Sequence, residues 1–289
     1  MGITNNCIRF LLNARDKNVH FTSTLTLGRQ ELYATTSYLK KITKGYNLNL
    51  TSNLKYADGI FNLLGCKDLQ SLDFSDYEGA RLQHDLNEQI PEKWKNAFDL
   101  VFDGGTLEHV FNFPQAIKNC MEMVKPGGHF ISITPANNQM GHGFYQFSPE
   151  LLYRIFSKQN GYEVIAMVIY TTNKMGNFGA WYQVADPSDV KSRVTLTNSF
   201  PVSLMLLAKR TEDVQIFKTT PQQSDYVPIW SLKQQTQTSS PSSFKKIIRK
   251  LFPKNLRDKI YRIRKNYHKK HSFDIGSYHP DHFIRIKRF

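Results

Sequence analysis

Apolar residues fall into short runs that end at glycines or acids, and these runs alternate with stretches of helical period. "CIRFLLNA" (7–14) reads as a helix inside a polar leader. "STLTLGRQ" (23–30) alternates Thr24, Leu25, Thr26, Leu27 into Gly28, the pattern of a strand meeting a turn. "ELYATTSYLKK" (31–41) predicts a helix, residues 44–55 a loop, and "ADGIFNLLG" (57–65) a short helix stopped by Gly65. "LQSLDFSD", "ARLQHDL" and "FDLVF" predict three further strands. "FPQAIKNCMEMVK" (113–125) carries Pro114 in its first turn, with Ala116/Ile117, Cys120/Met121 and Val124 at helical spacing. "PGGHFISITP" predicts a turn and a fifth strand. "SPELLYRIFSKQ" predicts a helix with Ser148 as N-cap and Pro149 at the first position. "YEVIAMVIY" and "PVSLMLLAKR" follow with no helix between them, so they are expected to pair antiparallel.

Strands alternating with helices imply a mostly parallel sheet covered on both faces. In such sheets ligands bind beyond the carboxyl ends of the strands. At 289 residues and 40% hydrophobic, the chain suffices for one large α/β domain with additions, or for two small domains. Periodicity fades near Asp213, which suggests a domain over 1–213 and a polar linker over 214–243, rich in Gln, Ser, Thr and Pro. Internal repeats are absent.

Charge separates the two ends. Residues 241–289 hold 15 Lys+Arg and 3 Asp+Glu, while the other 240 residues hold 23 and 21, within a total net charge of +14. An anionic partner is therefore expected of the tail, 244–289, and not of the body. Phe244, Ile247, Ile248, Leu251 and Phe252, then Leu256, Ile260, Ile263 and Tyr267, form one apolar stripe opposite Lys and Arg. Such a stripe over 244–267 suits an anionic membrane surface, the chain's own body or a partner chain; nucleic acid would leave the apolar side unexplained. Cys7, Cys66 and Cys120 have neither metal nor disulfide spacing and fit a reducing compartment. Neither a signal peptide nor an apolar stretch of 18 residues is visible, so a cytoplasmic protein is expected, with the tail placing it peripherally on the inner membrane face. "MGITNN" has Asn at position 6 where a myristoylation motif needs Ser or Thr. His279, Asp281 and His282 lack a fourth ligand, and no metal site is assigned.

Three acids end consecutive strands: Asp73, Asp85 and Asp103. Beside Gly28 they form a row along one rim, where a carboxylate can accept the two hydroxyls of a ribose. The strand "FDLVFDGGTLEHV" (98–110), continued by "MVKPGGHFIS" (123–132), resembles the fourth strand, fourth helix and fifth strand of class I S-adenosylmethionine-dependent methyltransferases of the small-molecule type. The similarity runs from about Leu25 to Lys209, with "FSPELLYRIFSKQNGYEVI" leading to the sixth strand and "PVSLMLLAKR" as an antiparallel seventh. It implies a Rossmann-like, seven-stranded fold and the cofactor S-adenosyl-L-methionine. It further implies that Gly28 is the surviving glycine of the cofactor loop and that Asp73 holds the ribose. Asp85 and Leu86 would contact the adenine, and Asp103 and Gly104 would lie against the methionine portion.

The chain departs from the family pattern in places. One glycine stands in "TLTLGRQEL" where the family has several, and Arg29 and Gln30 are not small. Arg29 can pair with the cofactor carboxylate or remain a surface charge. Gly28 and Asp73 are 45 positions apart, against roughly 20 in comparable dinucleotide units, so residues 33–64 read as an insertion. Catalytic candidates are His142, in the glycine-flanked "NNQMGHGFYQFS", and His109, the latter reading more readily as structural. Tyr145 and Phe147 are expected to line the acceptor pocket. The expected activity is methyl transfer to a small molecule or a glycan hydroxyl, lipid-linked saccharides being the acceptors an inner-face enzyme would meet. The competing readings are a catalytically inactive binding or scaffold protein and a nucleic-acid methyltransferase, the last disfavoured because "DGGT" replaces an amine-methylating motif after strand four.

Overall fold

The computed structural model describes residues 2–46, 55–76, 78–172, 178–227, 272–273 and 276–286. The N-terminal portion comprises β1 (Gly2–Ile3), α1 (Asn5–Asp16), β2 (Ser23–Leu27), β3 (Glu31–Leu32), α2 (Thr36–Tyr46) and α3 (Asp58–Leu63). Then come β4 (Asp68–Asp73), β5 (Leu82–Gln83), β6 (Phe98–Asp103), α4 (Phe113–Met123), β7 (Val124–Asn137) and α5 (Pro149–Ile155). The remainder is strand: β8 (Tyr162–Thr172), β9 (Phe178–Val184), β10 (Leu196–Thr197), β11 (Val202–Arg210), β12 (Ser272–Phe273), β13 (Gly276–Tyr278) and β14 (Phe283–Ile286).

The main sheet runs β14-β9-β8-β11-β7-β6-β2-β4-β5. Its half from β7 to β5 is parallel, and β11 lies antiparallel between β7 and β8. The antiparallel pair expected from the missing helix is therefore present. The chain leaves β2 toward β4 and β5, then returns to the other side of β2 with β6 and β7. That reversal between β2 and β6 opens a crevice at the carboxyl ends of the strands, where open α/β sheets bind ligands.

The period-2 pattern places alternate residues on two cores. Val101, Phe130, Leu204 and Leu206 join Ile117, Met121 and Leu152 of α4 and α5 on one face. Leu100, Phe102, Ile131, Met205 and Leu207 meet Ile8, Leu11 and Phe61 of α1 and α3 on the other. Thr4 caps α1, its Oγ1 accepting from Cys7 N, and Ser148 caps α5 with Pro149 at its first position, as expected.

The sheet has nine strands where seven were expected. The first addition is β9, whose Trp181, Tyr182 and Val184 are all buried, so no hydrophobic alternation marks it. The second comes from the basic tail: β14 pairs antiparallel with β9, Phe283 opposite Val184 and Ile286 opposite Trp181. Tyr278 and Phe283 are buried in the core. The described part of the polar stretch after Asp213 also lies against the domain, with Ile216 buried and Ser224 donating N–H and Oγ–H to the Glu150 carboxylate. "ELYATTSYLKK" forms its helix only from Thr36, because Glu31–Leu32 pairs with β1. The apolar stripe from Phe244 to Tyr267 lies outside the described residues.

His129, on β7, has an exposure of 6%, and its Nδ1 has no hydrogen-bond partner. Burial first, then the Lys209 charge and His20, lowers its pKa to about 4. The unfolded chain, with an ordinary histidine near 6.5, binds the proton more readily. Stability is thus complete above about pH 6.5 and falls as pH drops toward 4, by at most about 3 kcal/mol. Urea unfolding at pH 7 and pH 4.5 is expected to show this loss, and His129→Gln to flatten the slope.

Candidate active site

The crevice is built from the ends of β4, β2 and β6 and the turns that follow them. A cavity of about 230 Å³ there is lined by Asp73, His84, Asp85, Leu86, Thr106 and His109, with Leu72, Phe74, Asn87 and Val110 completing its wall. Four of the eight candidate residues therefore meet in one place: Asp73, Asp85, Leu86 and His109. A cavity of about 330 Å³ lies beside the turn after β2, lined by Thr26, Arg29, Gln30, Ser71 and Gly79, and two larger ones lie elsewhere on the surface. Ligand pockets usually occupy roughly 300–1,000 Å³, so this cleft suits a nucleoside-sized portion of a ligand.

Asp73 ends β4 with its Oδ1 accepting from Phe74 N at 2.6 Å. Asp85 Oδ1 accepts from Asn87 N at 2.9 Å and Asn87 Nδ2 at 2.7 Å, and the backbone bond, then the side-chain bond, lowers its pKa. Both acids are thus oriented by local turns. Gly28 turns the chain out of β2 at φ 67°, its N–H donating to Leu72 O at 2.7 Å.

Asp103 serves differently from its neighbours. It is fully buried; Oδ1 accepts from Thr106 N at 2.8 Å, and Oδ2 from Ser132 Oγ at 2.7 Å. Burial pushes its pKa up. Its carboxylate shapes the turn from β6 into Leu107–His109 and does not reach the cleft. Thr106 completes that turn by donating Oγ1–H to Leu27 O at 2.8 Å, which ties β6 to β2.

Gln30 occupies the space beside Gly28. Its amide is 2% exposed and donates to Leu27 O at 2.7 Å and Gly28 O at 3.3 Å, while Oε1 has no partner. A Cβ at Gly104 would lie 2.2 Å from that oxygen and 2.8 Å from Phe102 Cε1. Gly104→Ala is expected to cost about 2 kcal/mol through this overpacking, and a thermal-melt cycle with Gln30→Ala to recover part of it. Arg29 points elsewhere. It pairs with Asp58 at 2.8 Å, donates to Glu78 O and covers the Tyr56 ring at 3.9 Å.

Glu108, passed over in the sequence, lies between the two histidines. It is 1% exposed, and its backbone O accepts from Phe144 N at 2.8 Å and Tyr145 N at 3.2 Å. Those bonds fold the loop carrying His142 back over β6, with His142 Nε2 at 3.3 Å from Glu108 Oε1. Burial, and then the Asp103 charge, raises the Glu108 pKa to about 8. Burial and then His142 lower the pKa of His109. Phe147 does not line an acceptor pocket. It is buried in the core against Phe113, and Tyr145 is packed against the same cluster with its Oη–H donated to Phe111 O. The exposed side chains near the crevice are Phe74, Phe111, Met140 and Phe144. A signal for Glu108 was present in "LEH", an acid two residues past a turn of small residues, but its burial depends on the later loop.

Residues 66–132 match the family model described as a methyltransferase domain. That match runs from just before β4 into the middle of β7, the segment whose strands and turns line the crevice. No curated protein sequence matches the chain. Among solved structures, a putative methyltransferase from Bacillus halodurans is 11% identical with a TM-score of 0.39, covering 71% of this chain and 99% of its own. The Burkholderia thailandensis 1,6-didemethyltoxoflavin-N1-methyltransferase, solved with its substrate and S-adenosylhomocysteine, is 10% identical with a TM-score of 0.40, covering 71% and 78%. Of the trans-methyltransferase CalH, solved with S-adenosylhomocysteine, the chain spans 57%, at 14% identity and a TM-score of 0.39 over 71% of this chain.

Two observations fit the crevice to a nucleoside-bearing cofactor. Asp73, Asp85 and Leu86 face one nucleoside-sized cavity. The unpartnered Gln30 Oε1 is a buried acceptor at the rim where the glycine loop is reduced to Gly28.

Proposed function

We propose that this protein is an S-adenosylmethionine-dependent methyltransferase that acts on a hydroxyl group of a small molecule or a glycan. The observation that carries the reading is the position of His109 and the Glu108–His142 pair at the edge of the cavity lined by Asp73 and Asp85. Asp73 would hold the ribose hydroxyls, Asp85 and Leu86 the adenine, and the Gln30 amide the ammonium end. S-adenosylmethionine supplies an electrophilic methyl group when bound. Displacement at that methyl is governed mostly by positioning, and the residues at the β6 rim set the direction of approach. His142, half exposed and 3.3 Å from Glu108, would take the acceptor hydroxyl's proton. The exposed Phe74, Phe111 and Phe144 favour an acceptor with an apolar or ring-shaped portion.

Calorimetric titration with S-adenosylmethionine and S-adenosylhomocysteine tests the binding half, with micromolar affinity expected. Labelled methyl transfer to hydroxyl and amine acceptors tests the other half. His142→Ala is expected to lower kcat about a hundredfold with cofactor affinity unchanged; full activity would remove it from catalysis. The single-glycine loop favours the scaffold reading, and absence of binding at millimolar cofactor by folded protein would decide for it. Residues 244–267, by their cationic and apolar stripes, would seat the enzyme on anionic lipid at the inner membrane face. Flotation with anionic but not neutral vesicles is expected. No described helix is long and apolar enough to cross a membrane.

A further inference from the structure

Glu108 is a buried acid whose nearest side-chain nitrogen, His142 Nε2, stands at 3.3 Å. Its side chain is 1% exposed, and among the described residues neither carboxylate oxygen accepts a well-aligned hydrogen bond. The neighbouring buried carboxylate, Asp103, is satisfied by backbone N–H groups and Ser132, so it offers Glu108 nothing but repulsion. An unpaired buried carboxylate is costly, and a cation or a proton must offset it. The groups facing it are imidazoles. Glu108, His109 and His142 each present a ligand atom, all within 4.8 Å of one another, and the two rings lie 5.5 Å apart at 49°.

The convergence is built by the backbone. Gly143 has φ 94°, and a Cβ there would lie 2.8 Å from Glu108 O and 2.9 Å from His109 Nδ1. Only glycine lets the loop pass this close, and the bonds from Phe144 N and Tyr145 N to Glu108 O hold it there. His142 is thereby brought over an acid 34 positions earlier in the chain.

We propose that Glu108, His109 and His142 form a binding site for a divalent transition-metal cation at the mouth of the cofactor crevice. One carboxylate and two imidazoles suit zinc, manganese, iron(II) or cobalt(II) better than magnesium or calcium, which prefer all-oxygen shells. Three protein ligands leave a coordination position open, as in catalytic metal sites. His142 is 56% exposed, which gives a cation a path to the buried acid. Binding itself does not depend on the hydroxyl-methylation reading. A role for the cation in activating the acceptor does rest on it, with His142 then a ligand in place of a free base.

The test uses the full chain, stripped with chelator and titrated with zinc, manganese and cobalt(II) without cofactor or acceptor. One saturable equivalent at micromolar concentration is expected, together with a cobalt(II) visible spectrum carrying nitrogen ligation and a rise in melting temperature. Glu108→Gln, which keeps the side chain's shape, and His142→Ala, on an exposed position, should each weaken binding by at least tenfold. Failure to bind one equivalent overturns the proposal. So does binding unchanged in both variants, which would place the metal on other histidines. Glu108→Gln melting above the parent, with no metal effect on the parent, would show that the acid is protonated in place and would equally overturn it. The melting curves establish that each variant is folded, and cofactor titration of the same samples reports the methyl-transfer reading separately.

Discussion

Replacing Asp73 by alanine is expected to weaken S-adenosylmethionine binding about a thousandfold while the fold persists. Asp73 stands at the carboxyl end of β4, and among the described residues its carboxylate accepts one short local hydrogen bond, from Phe74 N. The carboxylate is thus preorganised and lines the cleft with accepting capacity left over. In the proposed complex it accepts both ribose hydroxyls, each charge-assisted bond contributing about 2 kcal/mol. Losing both corresponds to about three decades in Kd. Calorimetry with S-adenosylhomocysteine measures it. Asp73→Asn should fall between the two, since it keeps one acceptor and loses the charge. Unchanged affinity in Asp73→Ala would remove Asp73 from the cofactor site.

The second large effect is on stability. Arg210, the last residue of β11, is 2% exposed, and its guanidinium lies under the carboxyl end of α4. Nη1 donates to the carbonyls of Met121, Glu122 and Val124 and to Asn96 Oδ1, and Nη2 pairs with Asp213. The last carbonyls of a helix have no partner within the helix, and the dipole there favours a cation. Tyr162 Oη–H also donates to Met121 O and Asn96 N–H to Glu122 O, so Arg210 completes the end of α4 and staples it to the sheet. Arg210→Met fills similar space but takes the guanidinium from Val124 O and Asn96 Oδ1, at about 3 kcal/mol. Arg210→Lys should restore only part, because an ammonium cannot reproduce the planar fork. Urea unfolding at neutral pH measures both, and a loss under 1 kcal/mol for Arg210→Met would refute the stapling role.

The parallel half of the sheet was legible because its strands are short apolar runs punctuated by Gly28, Asp73 and Asp103, and its helix α4 carries Pro114 in its first turn with apolar residues at helical spacing. The acids were legible as a row but not as individuals. Asp73 and Asp85 face a cavity, whereas Asp103 turns inward to Thr106, Leu107 and Ser132. All three look alike in sequence, since a strand-end aspartate serves a turn and a ligand equally well. Phe147 was misread for a similar reason. A loop aromatic beside Tyr145 looks available, but it is the residue that closes on Phe113.

What the chain determines by itself is periodic: which residues share a face, where an element stops, where glycine permits a turn, and where charge collects. Those signals lie within a few residues of one another, and local sterics and hydrophobic burial suffice to express them. The tertiary structure alone decided that β14 closes the sheet about 100 residues after β9, that Arg210 ends α4, and that His142 reaches Glu108 across a glycine at φ 94°. In each case the deciding quantity is the dielectric and the partner a polar group finds once distant segments are packed, and no local pattern contains that distance.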